Sequence, residues 1–231
     1  MNDYLDLSLP DFESDSAEPD YGLMGLLKNF SDATARLTDN CIYIIDYHRH
    51  KFIYVSDNPL LLLGKSAKEI QTLGFDYYFQ FVPKEDYPIL RDINTAGFNF
   101  FKNIPENERT DWLISSTFHI ASGNSQILID HKTTALTFTP NGKIWLGLCM
   151  VSVADRSKNG VIEMRNTRTG EIWNYDRVDK IWRKIPHIFL TQSERHVIIL
   201  TIQGYTIKEI AERLFLSVDT IKKYRNHILK N

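Results

Sequence analysis

The 231-residue sequence has few features of secreted, membrane-spanning or disulfide-stabilised proteins. Its two cysteines, Cys41 and Cys149, each lie in an apolar run, which predicts buried, reduced thiols rather than a disulfide framework or a metal cluster. No apolar run approaches the roughly 20 residues that cross a bilayer. The start of the chain lacks the basic and apolar segments of a signal peptide, so we expect a cytoplasmic protein without a membrane span.

Motifs of common enzymes are also missing. The sequence contains no G-x-S-x-G nucleophile elbow, no P-loop and no G-x-G-x-x-G dinucleotide fingerprint. His48 and His50 form an H-x-H pair, but no Cys or carboxylate lies at metal-ligand spacing from them, so a solvated turn is the better interpretation. We therefore predict no catalytic residue, no metal site and no enzymatic activity.

Basic residues are absent from the start of the chain. The first 20 residues contain seven acidic side chains and no Lys or Arg, so residues 1–33 are predicted to be an acidic tail or surface strap. Residues 178–231 contain ten basic and five acidic side chains, whereas residues 1–177 contain seventeen and twenty-four. Such asymmetry indicates a nucleic-acid-binding part joined to a part with another role, although uneven solvated charges would also produce it.

Strand patterns and helix starts follow one another along residues 34–155. The runs CIYIID and KFIYVS, joined by a polar YHRH, predict a β-hairpin. Three helix starts follow, in DNPLLLLG, SAKEI and PKEDYPIL, and then three strand runs separated by the turn signals ASGNS and TPNGK. We therefore predict an α+β domain with a five-stranded antiparallel sheet and helices on one face.

The stretch IIDYHRHKFIYVSDNPLLLLGKSAKEI resembles the opening of a PAS sensor domain, with its strand hairpin, N-P helix start and Leu-Gly. The resemblance covers residues 34–155. It implies either a small-molecule pocket between sheet and helices or a module for dimerisation and signal relay. Aromatic side chains of the helical segment are candidates to line such a pocket, and we select Tyr77, Tyr78, Phe79 and Phe81.

The PAS resemblance does not extend to a cofactor. Flavin-binding members carry a reactive Cys in a G-x-N-C-R-F-L-Q helix, which this sequence lacks. Haem-binding members place an axial His on the long helix before the third strand, whereas residues 84–104 contain no His. Strand alternation allows His131 to point inward and predicts that His119, opposite to Phe118, faces solvent. We predict no bound cofactor.

After residue 155 the sequence predicts a hairpin and then three helices. Residues 156–188 contain VIEMRNTRTGEIWNYD and are predicted to form a β-hairpin connector, which either packs on the sheet or forms the connection to the last domain. Within residues 189–231, TQSE and TIKE are capping boxes that begin two helices, and Ser217 followed by Asp219 begins a third. The second and third helices are separated by LFLS, which is short enough for a helix-turn-helix.

The last two predicted helices each have an apolar and a polar face. The apolar stripes are Ile207, Ile210, Ala211 and Leu214 on the second helix, and Val218, Ile221, Tyr224 or Arg225, and Ile228 on the third. The opposite side of the third helix carries Lys222, Lys223 and Asn226. Such a helix fits the major groove of DNA, where Lys meets guanine acceptors and Asn pairs with adenine.

The same residues resemble the LuxR-type DNA-binding domain. LTQSERHVIIL and IQGYTIKEIAERLFLSVDTIKKYRNHILK match its L-T-x-x-E-R start, its Gly before the second helix, K-E-I-A and S-x-x-T-[VI]-K. The resemblance covers most of residues 189–230. It implies base contacts by Lys222, Lys223 and Asn226, and phosphate contacts by Lys208, Thr220 and Arg225.

Two departures from the LuxR pattern matter. Tyr224 stands where the family usually has His. The family normally continues past I-x-x-K-L into a fourth helix, whereas this sequence ends at Asn231. We expect a domain that lacks this helix, because of truncation or because the domain is short and is stabilised by another surface; we favour truncation.

Together these patterns predict a bacterial one-component transcription regulator that binds double-stranded DNA. Its PAS-like domain would sense a small molecule or mediate dimerisation. We expect a homodimer, because one recognition helix contacts only a few base pairs. The alternative is a protein-interaction adaptor whose C-terminal helices bind a protein partner. An adaptor has no salt-dependent affinity for DNA, whereas the affinity of a regulator falls steeply with salt.

Overall fold

The computed structural model describes residues 22, 24–123, 125–155, 157–186 and 190–230. Most of the predicted acidic tail therefore lies outside the described residues. The chain divides into two compact units, residues 1–185 and residues 186–231. Helices in the described ranges are all too short or too polar to cross a bilayer.

The first unit contains a sheet and five helices within its described residues. Its strands are β1 (Cys41–Asp46), β2 (Lys51–Val55), β3 (Trp112–Ser122), β4 (Ser125–Phe138), β5 (Ile144–Val153), β6 (Ile162–Asn166), β7 (Ile172–Asp176) and β8 (Ile181–Ile185). Its helices are α1 (Met24–Thr38), α2 (Pro59–Leu62), α3 (Ala67–Leu73), α4 (Asp76–Phe81) and α5 (Tyr87–Lys102). Short 3₁₀ helices cover Lys84–Asp86 and Glu106–Asp111.

All these strands form one antiparallel sheet in the order β2-β1-β5-β4-β3-β6-β7-β8. The α+β prediction is confirmed, but the predicted number of strands is wrong, because the described part of the sheet has eight strands rather than five. Strand β6 pairs with β3 from Trp112↔Asn166 to Ser116↔Ile162, so residues 162–185, which include the predicted hairpin, continue the sheet as β6–β8. The reason is burial: Ile162 and Met164 are each 1% exposed, and pairing also covers an edge of β3.

Helix α1 occupies residues that were predicted to belong to the tail. The acidic composition that suggested a tail ends at Asp20, whereas Leu27 and Ala35 of α1 pack against the cluster around Ile42 and Tyr54. The Tyr54 hydroxyl also donates a 2.6 Å hydrogen bond to Asp32. The prediction of helices on one face is therefore incomplete, because α1 packs on the face opposite to α2–α5.

Strand β1 separates the two layers of the core. Tyr43 and Ile45 belong to the large cluster under α2–α5, and Ile42 belongs to the cluster under α1, as the two-residue period of a strand requires. Cys41 and Cys149 are free and buried, as predicted. Burial raises the pKa of Cys41 to about 11 and that of Cys149 to about 12, so both thiols are protonated at neutral pH.

The prediction that His119 faces solvent is only partly right, because its side chain points away from Phe118 but is half-buried. Backbone pairing along this edge of β3 ends at Thr117, which bonds to residues 160 and 161, so the amide of His119 lies at an open edge. The buried carboxylate of Asp86 fills this position and accepts hydrogen bonds from the His119 backbone N–H at 2.7 Å and from Asn159 Nδ2 at 2.9 Å. His119 Nδ1 lies 2.8 Å from the same carboxylate, so the ring is half-buried.

The second unit consists of α6 (Gln192–Ile202), α7 (Ile207–Leu214) and α8 (Val218–Lys230) within its described residues. Its core contains buried side chains from all three helices. These are Val197, Ile210, Ala211 and Ile221. Both predicted apolar stripes are confirmed, and Tyr224 rather than Arg225 joins the stripe of α8.

Candidate functional site

The first two helices of the second unit begin at the predicted capping boxes. Thr191 Oγ1 accepts from the Glu194 amide at 3.3 Å, and Glu194 Oε2 accepts from the Thr191 amide at 2.8 Å. Thr206 and Glu209 repeat this exchange at 3.4 and 2.7 Å. Each box satisfies backbone amides that have no partner inside the helix, so the sequence itself fixes where α6 and α7 start.

The turn between α7 and α8 is held by a left-handed residue and a cap. Phe215 has φ +54° and ends α7, and the amide of Leu216 donates to Ala211 O at 2.9 Å. Ser217 Oγ then accepts from the Thr220 amide at 3.1 Å and begins α8. The turn therefore sets the direction of α8 relative to α7.

The three residues predicted to contact bases lie together on the exposed side of α8. Lys222, Lys223 and Asn226 are all exposed, whereas Ile221 on the opposite side is fully buried. Lys222 Nζ lies 3.3 Å from Asp219, and both side chains are solvent-exposed. An exposed ion pair of this kind contributes about 0–1 kcal/mol, so another anion can replace Asp219 at little cost.

The three residues predicted to contact phosphates differ in their surroundings. Lys208 is exposed in the first turn of α7. Thr220 is half-buried, and its hydroxyl lies 2.8 Å from Ser217 Oγ in the cap of α8. Arg225 is half-buried and follows Tyr224, which packs on the core. Lys208 is therefore the most accessible of the three to an anion.

A contact between α6 and α8 was not predicted. His227 Nδ1 lies 2.6 Å from Oε1 of the buried Glu194 carboxylate. Hydrogen bonds from the Thr191 amide and hydroxyl, and then from His227, lower the pKa of Glu194. The Glu of the capping box thus also connects α8 to the start of α6. Its position in L-T-x-x-E-R reveals the cap, but no local pattern reveals a partner 33 residues away.

The first unit contains a partly open cavity of about 80 Å³ between the sheet and the helices. Its walls come from β1, β3, β4, β5 and β6 on one side and mainly from α5 on the other. Apolar lining residues include Ile45, Phe75, Leu90, Ile93, Phe98, Phe101, Trp112, Ile114, Phe118, Ile144 and Met164. Polar lining residues include Tyr47, Tyr78, Asn94, His131, Thr133 and Thr134.

A buried hydrogen-bond chain borders this cavity. The Tyr43 hydroxyl lies 2.5 Å from His131 Nε2 and 2.7 Å from the Tyr78 hydroxyl. Burial lowers the pKa of His131 to about 4 and raises the pKa of both tyrosines, so all three groups are uncharged at neutral pH. These three hydrogen-bonded side chains are therefore polar but carry no charge.

Of the four aromatic residues predicted to line a pocket, Tyr78 lines the cavity. Tyr77 instead donates a hydrogen bond to Leu61 O, and Phe81 packs against Tyr77. Phe79 packs against Tyr87. Consecutive residues of a helix point about 100° apart, so α4 directs few of its side chains into one cavity. In the described ranges, no three His, Cys, Asp or Glu side chains cluster as metal ligands.

Residues 189–231 match the family model of bacterial regulatory proteins of the luxR family. These residues form a luxR-type helix-turn-helix domain. The predicted resemblance of the C-terminal unit is therefore confirmed. The luxR family consists of regulatory proteins, which agrees with the prediction that the chain is not an enzyme.

A curated relative is the oxygen regulatory protein NreC of Staphylococcus haemolyticus (strain JCSC1435). It is 29% identical over 68 residues, which are 29% of this chain and 31% of NreC. The match thus spans about a third of that relative.

Similar solved structures include a phage VqmA–DPO complex, with a TM-score of 0.31, 16% identity and coverage of 90% of this chain and 79% of the other. The DNA-free VqmA dimer of Vibrio cholerae has a TM-score of 0.34, 14% identity and coverage of 91% and 80%. TM-scores this low do not establish a shared overall fold.

We expect Tyr43→Phe to destabilise the first unit by about 2 kcal/mol, because His131 and Tyr78 would each lose a buried hydrogen-bond partner. Urea unfolding followed by tryptophan fluorescence measures this, since Trp112, Trp145, Trp173 and Trp182 all lie in the first unit. Tyr175→Phe is the control and should change the unfolding free energy by less than about 0.5 kcal/mol. Equal losses of unfolding free energy in both variants would contradict a special role for the buried hydrogen bonds of Tyr43.

Proposed function

We propose that the protein is a bacterial one-component transcription regulator that binds double-stranded DNA through α8. The observation that carries this proposal is the row of Lys222, Lys223 and Asn226 on the exposed side of α8 in a luxR-type domain. Lys can donate to guanine O6 and N7, and Asn can form two hydrogen bonds with adenine. A DNA-binding regulator acts where the bacterial chromosome lies, so we place it in the cytoplasm.

Phosphate contacts would hold α8 in register with the groove. We assign them to Lys208, Thr220 and Arg225, which flank the base-reading row in α7 and α8. Phosphate contacts add affinity but carry no sequence information. DNA would also replace Asp219 as the partner of Lys222, which costs little because that pair is exposed.

We propose that the first unit is a PAS-like sensor whose cavity binds a small, uncharged molecule. The order of two strands, helices and three strands supports this proposal, as does the position of α2–α5 over one sheet face. The neutral His131–Tyr43–Tyr78 chain favours an uncharged ligand with a hydrogen-bonding group. A cavity of about 80 Å³ is below the usual 300–1,000 Å³, so a larger ligand requires neighbouring side chains to move.

Signal transfer in this proposal needs two conformations of the protein. A ligand that binds one conformation more tightly increases its population, and DNA does the same for the conformation it prefers. The small molecule then changes the affinity of the protein for DNA, and DNA changes its affinity for the small molecule by the same factor.

We propose that α1 forms part of a homodimer interface. Leu26, Phe30 and Leu37 are 68%, 62% and 86% exposed. Together with Ala33 they are spaced four, three and four residues apart, which is the spacing of a coiled-coil seam. The opposite side of α1 already packs on the sheet, so a second copy of α1 is the partner that fits this repeating apolar stripe.

Exposed apolar side chains in the second unit favour one other function. Phe215 is 95% exposed in the turn before α8, and Ile202 is 80% exposed at the end of α6. Such side chains suit contact with a protein partner. The alternative is therefore an adaptor whose C-terminal helices bind protein instead of DNA.

We expect Lys222→Ala/Lys223→Ala to weaken binding of the full chain to random duplex DNA by at least about tenfold near 100 mM salt, because two cationic contacts are lost. Fluorescence anisotropy at several salt concentrations should give a shallower salt dependence for the variant. Lys65→Ala/Lys68→Ala removes the same charge from the first unit and should bind like the unmodified protein. No salt-sensitive binding by the folded, unmodified chain would favour the adaptor.

We expect Phe30→Glu to convert a dimer into a 26.9 kDa monomer, because a carboxylate in the seam would be buried without a partner. Light scattering after size-exclusion chromatography measures the mass. Val178→Glu changes another exposed side chain of the first unit and should leave the dimer intact. A dimer that survives Phe30→Glu at micromolar concentration would show that the seam is not the interface.

A further inference from the structure

A carboxylate lies on the same side of α8 as the three residues proposed to read bases. Asp219 is in the first turn of the helix, three residues before Lys222 and seven before Asn226, and its side chain is 83% exposed. Residues at these spacings lie on one side of an α-helix. Lys222 Nζ lies 3.3 Å from Asp219 Oδ1, so the carboxylate faces outwards beside the Lys222 side chain.

The start of α8 is capped by another side chain. Ser217 Oγ accepts from the Thr220 amide at 3.1 Å. In α6 and α7 the acidic residue of the first turn, Glu194 or Glu209, accepts from a backbone amide of its capping box. The charge of Asp219 favours the helix dipole, but its carboxylate accepts from an exposed side chain. This carboxylate is therefore available to a donor on a bound molecule.

DNA binding would change the surroundings of Asp219. When Lys222 turns to a base, the carboxylate loses its cation and lies near phosphates, which carry the same charge. A charged group that leaves water needs a hydrogen-bonding partner. Because an ionised carboxylate only accepts hydrogen bonds, that partner must be a donor on the edge of a base.

One base edge of the major groove suits a carboxylate better than the others. Cytosine presents its N4 amino group, which is a donor, and no acceptor. Guanine presents the acceptors N7 and O6, and thymine presents the acceptor O4. Adenine has a donor at N6, but its N7 acceptor lies beside that donor and repels a carboxylate. Cytosine is therefore the base that Asp219 should favour.

We propose that Asp219 is a specificity-determining residue that accepts a hydrogen bond from cytosine N4, at or beside the base pair contacted by Lys222. The same carboxylate repels phosphates, so it lowers the affinity for DNA that lacks this cytosine. The inference rests on the proposed binding of DNA by α8 and adds a preferred base to it.

Selection of binding sites from a random duplex library by the full-length protein tests this inference. The unmodified protein should enrich a motif with one position at which cytosine is preferred about fivefold or more, and Asp219→Ala should reduce this preference below about twofold. Asp219→Ala should also bind unselected random duplex about two- to threefold more tightly, because a negative charge is removed. Asp219→Asn should prefer adenine at that position, since Asn donates to N7 and accepts from N6.

Glu212→Ala is the matched control, because it removes an exposed carboxylate from α7 and should leave the cytosine preference unchanged. A motif that keeps this cytosine preference in Asp219→Ala would overturn the inference and leave DNA binding by α8 intact. Asp219 would then serve only the stability of the helix. If the folded, unmodified protein enriches no motif, the proposed function fails and the inference fails with it.

Discussion

Hydrogen bonding along both edges of β3 is the constraint on which the first unit depends. Strand β3 pairs with β4 from Leu113↔Thr134 to Ser122↔Ser125, and with β6 from Trp112 to Ser116. Because its register is fixed on both sides, alternate residues must point to the same face. Trp112, Ile114 and Phe118 therefore face the helices and line the cavity.

The second unit prepares α8 for binding by holding its inner side. Ile221 is fully buried, and His227 is linked to the Glu194 carboxylate at the start of α6. The outer side carries Lys222, Lys223 and Asn226, which are exposed. A helix already held in its binding orientation loses less conformational entropy on association, so more of the contact energy contributes to affinity.

Local patterns predicted much of both units, whereas distant contacts could not be predicted. Capping boxes and apolar stripes depend on residues three or four positions apart, so α6–α8 were correctly expected, as were the strands β1–β5. The pairing of β6 with β3 joins residues about 50 apart, and the Tyr43–His131 contact joins residues 88 apart. The choice of Tyr77, Phe79 and Phe81 as lining residues likewise needed the orientation of α4, which sequence alone does not give.

The claim that α8 reads bases is tested most directly by selecting binding sites from a random duplex library. The unmodified protein and Asn226→Ala are compared under identical salt conditions. The account predicts an enriched motif with two related half-sites for the unmodified protein, and a lost base preference at one position of each half-site for the variant. An identical motif for both proteins, or no enrichment by the folded, unmodified protein, would contradict it.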